Sequence, residues 1–343
     1  MKVRQARAAA SRWVAGRAAA PDFAGAYLSG SAAWLPADAD LPATSDVDVM
    51  VVTTHEQVPP KPGKLRHEGV LLDVTYLGWS DIPSAETVLS HYHLAGGFRT
   101  NTVVADPTGR LTRLSDAVAR DYAKRSWVRR RCEHARRRIV DGLATLDPAS
   151  PFPRQVMAWL FPAGVTAHVL LTAGLRNPTV RLRYLAARAL LHEHGLGDFH
   201  EELLGLLGCA AMTPARAGRH LDAMTRVFDA AAPMAPGTRF PFAADITPEA
   251  RPIAVDGGHE LIARGRHREA VFWITATYAR CLLILGPHAT TGQREGFAEL
   301  AGDLGVGGPG DLPRRAGDVA RFLPRLDQVT EAVLAASPAT GPD

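Results

Sequence analysis

Leu28-Ser29-Gly30-Ser31, a long loop, and then Ser45-Asp46-Val47-Asp48-Val49-Met50-Val51-Val52 form the stretch that decides the fold. The run from Ala26 to Leu28 predicts a strand that delivers Gly30 and Ser31 to a turn, followed by a short helix, the loop and a second strand. Glycine lets a ligand approach the backbone closely, while the serine hydroxyl and the N–H groups of a helix start supply donors for a phosphate. On the second strand side chains alternate, so Asp46 and Asp48 share one face and Val47, Val49 and Val51 take the other. Two carboxylates side by side repel each other. A divalent cation between them removes the repulsion, and hard oxygen ligands of this kind suit Mg²⁺ carrying a nucleoside triphosphate.

A third carboxylate comes from the next strand-like run, Val70-Leu71-Leu72-Asp73-Val74-Thr75-Tyr76-Leu77, where Asp73 sits among β-formers. Gly-Ser, a loop, Ser-Asp-x-Asp and a later strand acid together resemble the DNA polymerase β-type nucleotidyltransferase superfamily. Within it, Ser45-Asp46-Val47-Asp48 and Leu72-Asp73-Val74-Thr75 are most similar to the aminoglycoside adenylyltransferases. The resemblance covers roughly residues 22–115. It implies a catalytic set of Asp46, Asp48 and Asp73 holding two Mg²⁺ ions, with ATP or another nucleoside triphosphate as co-substrate against Gly30, Ser31 and Ser45. The implied reaction moves a nucleoside monophosphate, AMP from ATP, to a hydroxyl of a small molecule such as an aminoglycoside-like antibiotic, releasing pyrophosphate. Two departures stand out. The loop from Ala32 to Ser45 is longer than in most relatives, and Asp73 stands where the aminoglycoside enzymes usually carry a glutamate as general base.

At 343 residues and 36.8 kDa the chain has the length of two domains. The expected fold class is α/β (α+β): a small mixed-sheet nucleotidyltransferase domain over residues 1–113, an all-helical domain over 114–337 and a disordered tail over 338–343. Three cysteines, Cys132, Cys209 and Cys281, lie far apart without metal-ligand spacing, which fits a reduced, cytoplasmic setting. The opening segment to Pro21 alternates Arg and Ala and reads as an amphipathic helix with no secretory signal. Val156 to Leu175 is apolar enough to raise a membrane question, but Pro162, Gly164 and His168 point to a buried helix, so no membrane partner is expected. A net charge of +4 favours acidic partners such as a triphosphate and leaves nucleic acid open.

After Asp73 the pattern predicts a helix up to Leu94, a short strand from Thr102 to Ala105 and an Asp106-Pro107-Thr108-Gly109 turn, making about four strands in all. From there on the spacing is helical, beginning with one long helix from Ser115 to Leu146. Its basic residues divide into phosphate candidates near the catalytic domain, Lys124 and Arg125, and the triplets Arg129-Arg130-Arg131 and Arg136-Arg137-Arg138, read mainly as a solvated face. Those triplets are also the one segment able to carry a basic track, as the competing expectation requires: a toxin-like or regulatory nucleotidyltransferase acting on tRNA or protein. Asp106, Asp116, Asp121 and Glu133 are acids that could face a cationic acceptor, against a plainer role as caps and salt-bridge partners.

Overall fold

A computed structural model describes residues 1–55, 57–337, 340 and 341. The chain forms two compact units, the first Met1–His134 with Leu175–Pro178 and the C-terminal residues, the second Ala135–Gly174 with Thr179–Ser337. The first is mixed α/β, with elements α1 (Val3–Arg17), β1 (Phe23–Ser29), α2 (Gly30–Trp34), β2 (Val47–Thr53), β3 (Gly63–His67), β4 (Val70–Gly78), α3 (Ala85–Ser90), α4 (Tyr92–Ala95), β5 (Val103–Ala105), α5 (Arg110–Asp121) and the start of α6 (Arg125–Leu143).

Five strands make one mixed sheet in the order β3-β4-β2-β1-β5, with β2 and β4 parallel and the other neighbours antiparallel. Strand alternation then sorts the side chains. One face carries Ala26, Leu28, Val47, Val49, Val51, Leu72 and Val74, closed by Val3, Ala6, Ala10 and Val14 of α1. On the opposite face Tyr27, Met50, Val52 and Leu77 pack against Val88 and Leu89 of α3 and Leu111 and Val118 of α5. Apolar side chains therefore cover that second face at the C-terminal halves of β2 and β4, and the carboxylates of Asp48 and Asp73 occupy it toward their N-terminal ends.

The fifth strand, β3, lies outside the four expected. It is joined to β4 by a two-residue turn in which Glu68 and Gly69 both have positive φ (49° and 77°), the backbone of a tight hairpin whose twist matches its strands. β3 is an edge strand bearing Lys64, Arg66 and His67, the charged composition by which sheets keep an edge from pairing with another chain.

The division between units falls after His134, inside α6, and not at 113/114. Leu111, Val118 and Val128 are fully buried, and Arg131, 1% exposed, donates to the carbonyls of Leu89 and Tyr122, so α5 and the first turns of α6 complete the first unit's core. The single helix expected from Ser115 to Leu146 is two, α5 and α6, interrupted at residues 122–124. In the expected disordered tail, Gly341 is bonded to the backbone of Ala123 and Arg125; residues 338, 339, 342 and 343 lie outside the described residues.

The second unit is helical: the rest of α6, then α7 (Phe152–Ala173), α8 (Arg183–Glu193), α9 (Gly197–Leu207), α10 (Pro214–Ala231), α11 (Gly257–Ala263), α12 (His267–Leu285), α13 (Thr291–Asp303) and α14 (Leu312–Ala336). Its core contains Trp159, Tyr184, Phe199, Phe228, Phe272 and Tyr278. Two segments, Phe152–Ala173 and His267–His288, are long and apolar enough to cross a membrane, and both are mostly buried within the fold, as core helices are.

Candidate functional site

The polar half of the sheet gathers the three acids. Asp48 on β2 is in register with Asp73 on β4, its parallel neighbour, and with Ser29 on β1. Asp46 precedes β2 by one residue and shares the parity of Asp48. Asp73 is 7% exposed; Asp46 and Asp48 are half-buried.

Gly30 forms the other wall. Its φ of 55° is left-handed, and a Cβ there would overlap the carboxylate of Asp48, so the turn lies directly against that oxygen. Ser31 follows in α2, and the Ser45 hydroxyl donates to the Asp46 carbonyl at 3.4 Å. Trp34 lies under the Arg99 guanidinium, 4.4 Å from the ring centroid, and meets Tyr122 edge-on.

Two residues that the motif did not announce complete the cluster. Lys64 on β3 sits opposite Asp73, and its ammonium bridges Asp46 Oδ2 at 2.5 Å and Asp73 Oδ2 at 2.7 Å. Lys61, just before β3, reaches Asp73 at 2.8 Å. The signal lies in the hairpin: with Glu68-Gly69 as a two-residue turn, stepping back from it equally on each side pairs His67 with Val70 and Lys64 with Asp73.

The electrostatics differ among the acids. Burial raises the Asp73 carboxyl, but the charges of Lys64 and Lys61 outweigh it and hold the group below its ordinary value. Asp48 goes the other way, pushed up to about 7 by burial first and then by the charges of Asp46 and Asp73. Among the described residues no ammonium or guanidinium lies within ion-pair distance of Asp48.

The remaining expected residues lie elsewhere. Lys124 pairs with Asp121 at 2.9 Å, and the backbone N–H of Arg125 donates to Gly341; among the described residues no ion pair links either to the acids. Asp106 accepts from the Thr112 N–H at the start of α5, so it and Asp121 have the plainer cap and ion-pair roles. Of the arginine triplets, Arg131 is buried and not solvated, because the Leu89 and Tyr122 carbonyls and the Tyr122 ring hold its guanidinium, whereas Arg129, Arg130, Arg137 and Arg138 are exposed.

Among the described residues no group of three or more His, Cys, Asp or Glu is placed so that it could hold a metal ion. The donor chemistry still suits a hard divalent cation. The Asp48 carboxylate has no ion pair among the described residues and lies beside the open backbone of Gly30, and Asp46 stands on the same face. Compared with family models, curated proteins and solved structures, the chain matches none.

Proposed function

We propose that the chain is a Mg²⁺-dependent nucleotidyltransferase that moves a nucleoside monophosphate, AMP from ATP, to a hydroxyl of a small acceptor and releases pyrophosphate. One observation carries the reading: Asp48 and Asp73 stand in register on adjacent parallel strands, with Asp46 just before the first of them, beside a glycine turn with no room for a side chain. A purely structural role gives no reason to collect three carboxylates there and leave Asp48 without a cationic partner.

In this reading the Gly30-Ser31 turn receives the triphosphate, with the Gly30 backbone against the phosphates and the Ser31 hydroxyl as a donor. Asp46 and Asp48 hold Mg²⁺, which when bound offsets the charge of the phosphates and of the departing pyrophosphate. Asp73 faces the acceptor hydroxyl and takes its proton as that oxygen attacks the α-phosphorus in line. The ammoniums of Lys61 and Lys64 keep Asp73 ionised, the state a base requires. The carboxylate of Asp73 is one methylene shorter than the glutamate of the aminoglycoside enzymes, and its seat on β4 next to β2 brings it into line with Asp48.

The acceptor class follows from the resemblance, an amino sugar of the aminoglycoside type. A tRNA or protein acceptor needs a continuous basic surface, and burial of Arg131 interrupts the segment that would supply it. The test is incubation with ATP, Mg²⁺ and, separately, an aminoglycoside panel, total tRNA and cell lysate, followed by mass spectrometry for a gained nucleoside monophosphate. A labelled aminoglycoside supports the reading. Labelled tRNA or protein with every small molecule unchanged overturns the small-molecule acceptor, and no labelled species together with no pyrophosphate release overturns nucleotidyl transfer itself.

A further inference from the structure

Lys64 and Lys61 occupy the side of the carboxylate cluster where a second metal would bind. The Lys64 ammonium, its side chain 7% exposed, lies between Asp46 and Asp73, and the Lys61 ammonium lies 2.8 Å from Asp73 Oδ1 while donating to Oδ2 at 3.0 Å. Two ammonium groups together carry the charge of one divalent cation. Asp48, against the Gly30 turn, has no ion pair with either lysine, and among the described residues no other cation lies within ion-pair distance of it.

We propose that this site takes one divalent cation, at Asp46 and Asp48, and that Lys64 with Lys61 permanently replaces a second one at Asp73. The proposal rests on the nucleotidyltransferase reading and changes its metal count from two to one. Geometry favours a fixed Lys64 over one that swings away. It belongs to a strand paired residue by residue with β4, and moving its ammonium out would leave the Asp73 carboxylate buried with less compensation. A second divalent ion between Asp46 and Asp73 would have to displace that ammonium or lie in contact with it, and like charges at such distances repel strongly in a partly buried site. The lysines also have a positioning role. Both donate to Asp73 Oδ2, at 3.0 and 2.7 Å, which sets the orientation of the carboxylate without a bound ion and leaves Oδ1, buried and accepting no hydrogen bond among the described residues, for the acceptor hydroxyl.

The experiment counts ions. Mn²⁺ is titrated into the full chain in the presence of saturating non-hydrolysable ATP analogue and followed by electron paramagnetic resonance, which distinguishes an isolated ion from a coupled pair about 4 Å apart. The expected result is one isolated Mn²⁺ per chain for the wild type and two coupled ions for Lys61→Met/Lys64→Met. If the double variant does not fold, Lys64→Met alone is read in its place: it should bind two coupled ions, and one isolated ion in a folded Lys64→Met overturns the substitution by lysine. Two coupled ions in the wild type overturn the proposal and leave the nucleotidyltransferase reading standing. One ion in both the wild type and a folded double variant overturns the substitution by lysine. No Mn²⁺ bound to any form overturns the functional reading as well.

Discussion

Both units of this chain bury charge, and they do so in opposite ways. In the helical unit Glu269, 1% exposed, is met by Arg188 at 3.0 Å; Arg280, 3% exposed, is met by Asp245 at 2.9 Å; and His220 by Asp303 at 2.7 Å. The first two are pairs of opposite charge, and His220 is hydrogen-bonded to a carboxylate that also pairs with Arg216. On the sheet three carboxylates share two ammoniums, and Asp48 has no cation of its own. Paired burial holds helices together. Uncompensated burial costs stability and persists most simply where a ligand supplies the missing charge.

The sharpest way to break this comparison is to neutralise one acid from each unit. Asp48→Asn should lower pyrophosphate release by roughly a thousand-fold or more, because one amide oxygen cannot replace a charged ligand. Its melting temperature should stay level or rise, since the change removes a repelled charge. Glu269→Gln should do the reverse, losing on the order of 2–4 kcal/mol of stability by leaving Arg188 without its partner, with turnover per folded molecule unchanged. Parallel losses of melting temperature and activity in both variants would erase the distinction. At Asp73, Asn should be inactive, whereas Glu should keep some turnover because it retains the charge beside Lys61 and Lys64.

A pH series sharpens it further. With Asp48 raised from 3.8 to about 7, the folded chain holds a proton between those values that the unfolded chain has released, so stability falls as pH rises through that window. Asp73 is lowered, so its contribution is present above the ordinary carboxylate range and lost as pH drops below it. His200, lowered by burial, gives an opposite slope below its ordinary value of 6.5, so the informative quantity is the wild type minus Asp48→Asn. In EDTA that difference should become a few degrees less favourable to the wild type from pH 5 to pH 8. Mg²⁺ with ATP should cancel much of it, through ligand linkage. A flat difference would mean that Asp48 is not the group carrying the excess charge.

How far the sequence could be read depended on which signal each element carried. Asp46, Asp48 and Asp73 were legible because carboxylates among Val and Leu on a strand contradict strand chemistry. The strand β3 was not, because Lys64-Leu65-Arg66-His67 has neither β-branched nor aromatic content, and its partner Asp73 is what gives those charges a place. Lys124 and Arg125 lie close in sequence to the catalytic segment, but the interruption between α5 and α6 directs Lys124 to Asp121. Arg131 was grouped with exposed neighbours since a run of arginines gives no hint which one turns inward; on a helix that follows from the face presented to Leu89 and Tyr122.

The smallest expected effect comes from two glycines with nearly the same backbone. Gly69, in the β3–β4 turn, has φ 77° and open space where a Cβ would go, so Gly69→Ala adds only left-handed strain, about 1 kcal/mol, and a melting temperature lower by about 2–4 °C. Gly30 has φ 55° and a comparable strain, but there the added Cβ meets the Asp48 carboxylate and must push it aside. Gly30→Ala should therefore cost a similar amount of stability while losing most of the Mg²⁺-dependent protection by ATP, whereas Gly69→Ala keeps that protection. Thermal melts of the two variants with and without Mg²⁺-ATP make the comparison without any acceptor. Equal retention of the ATP shift in both would separate the Gly30 turn from the triphosphate and move the phosphate site to another wall of the sheet.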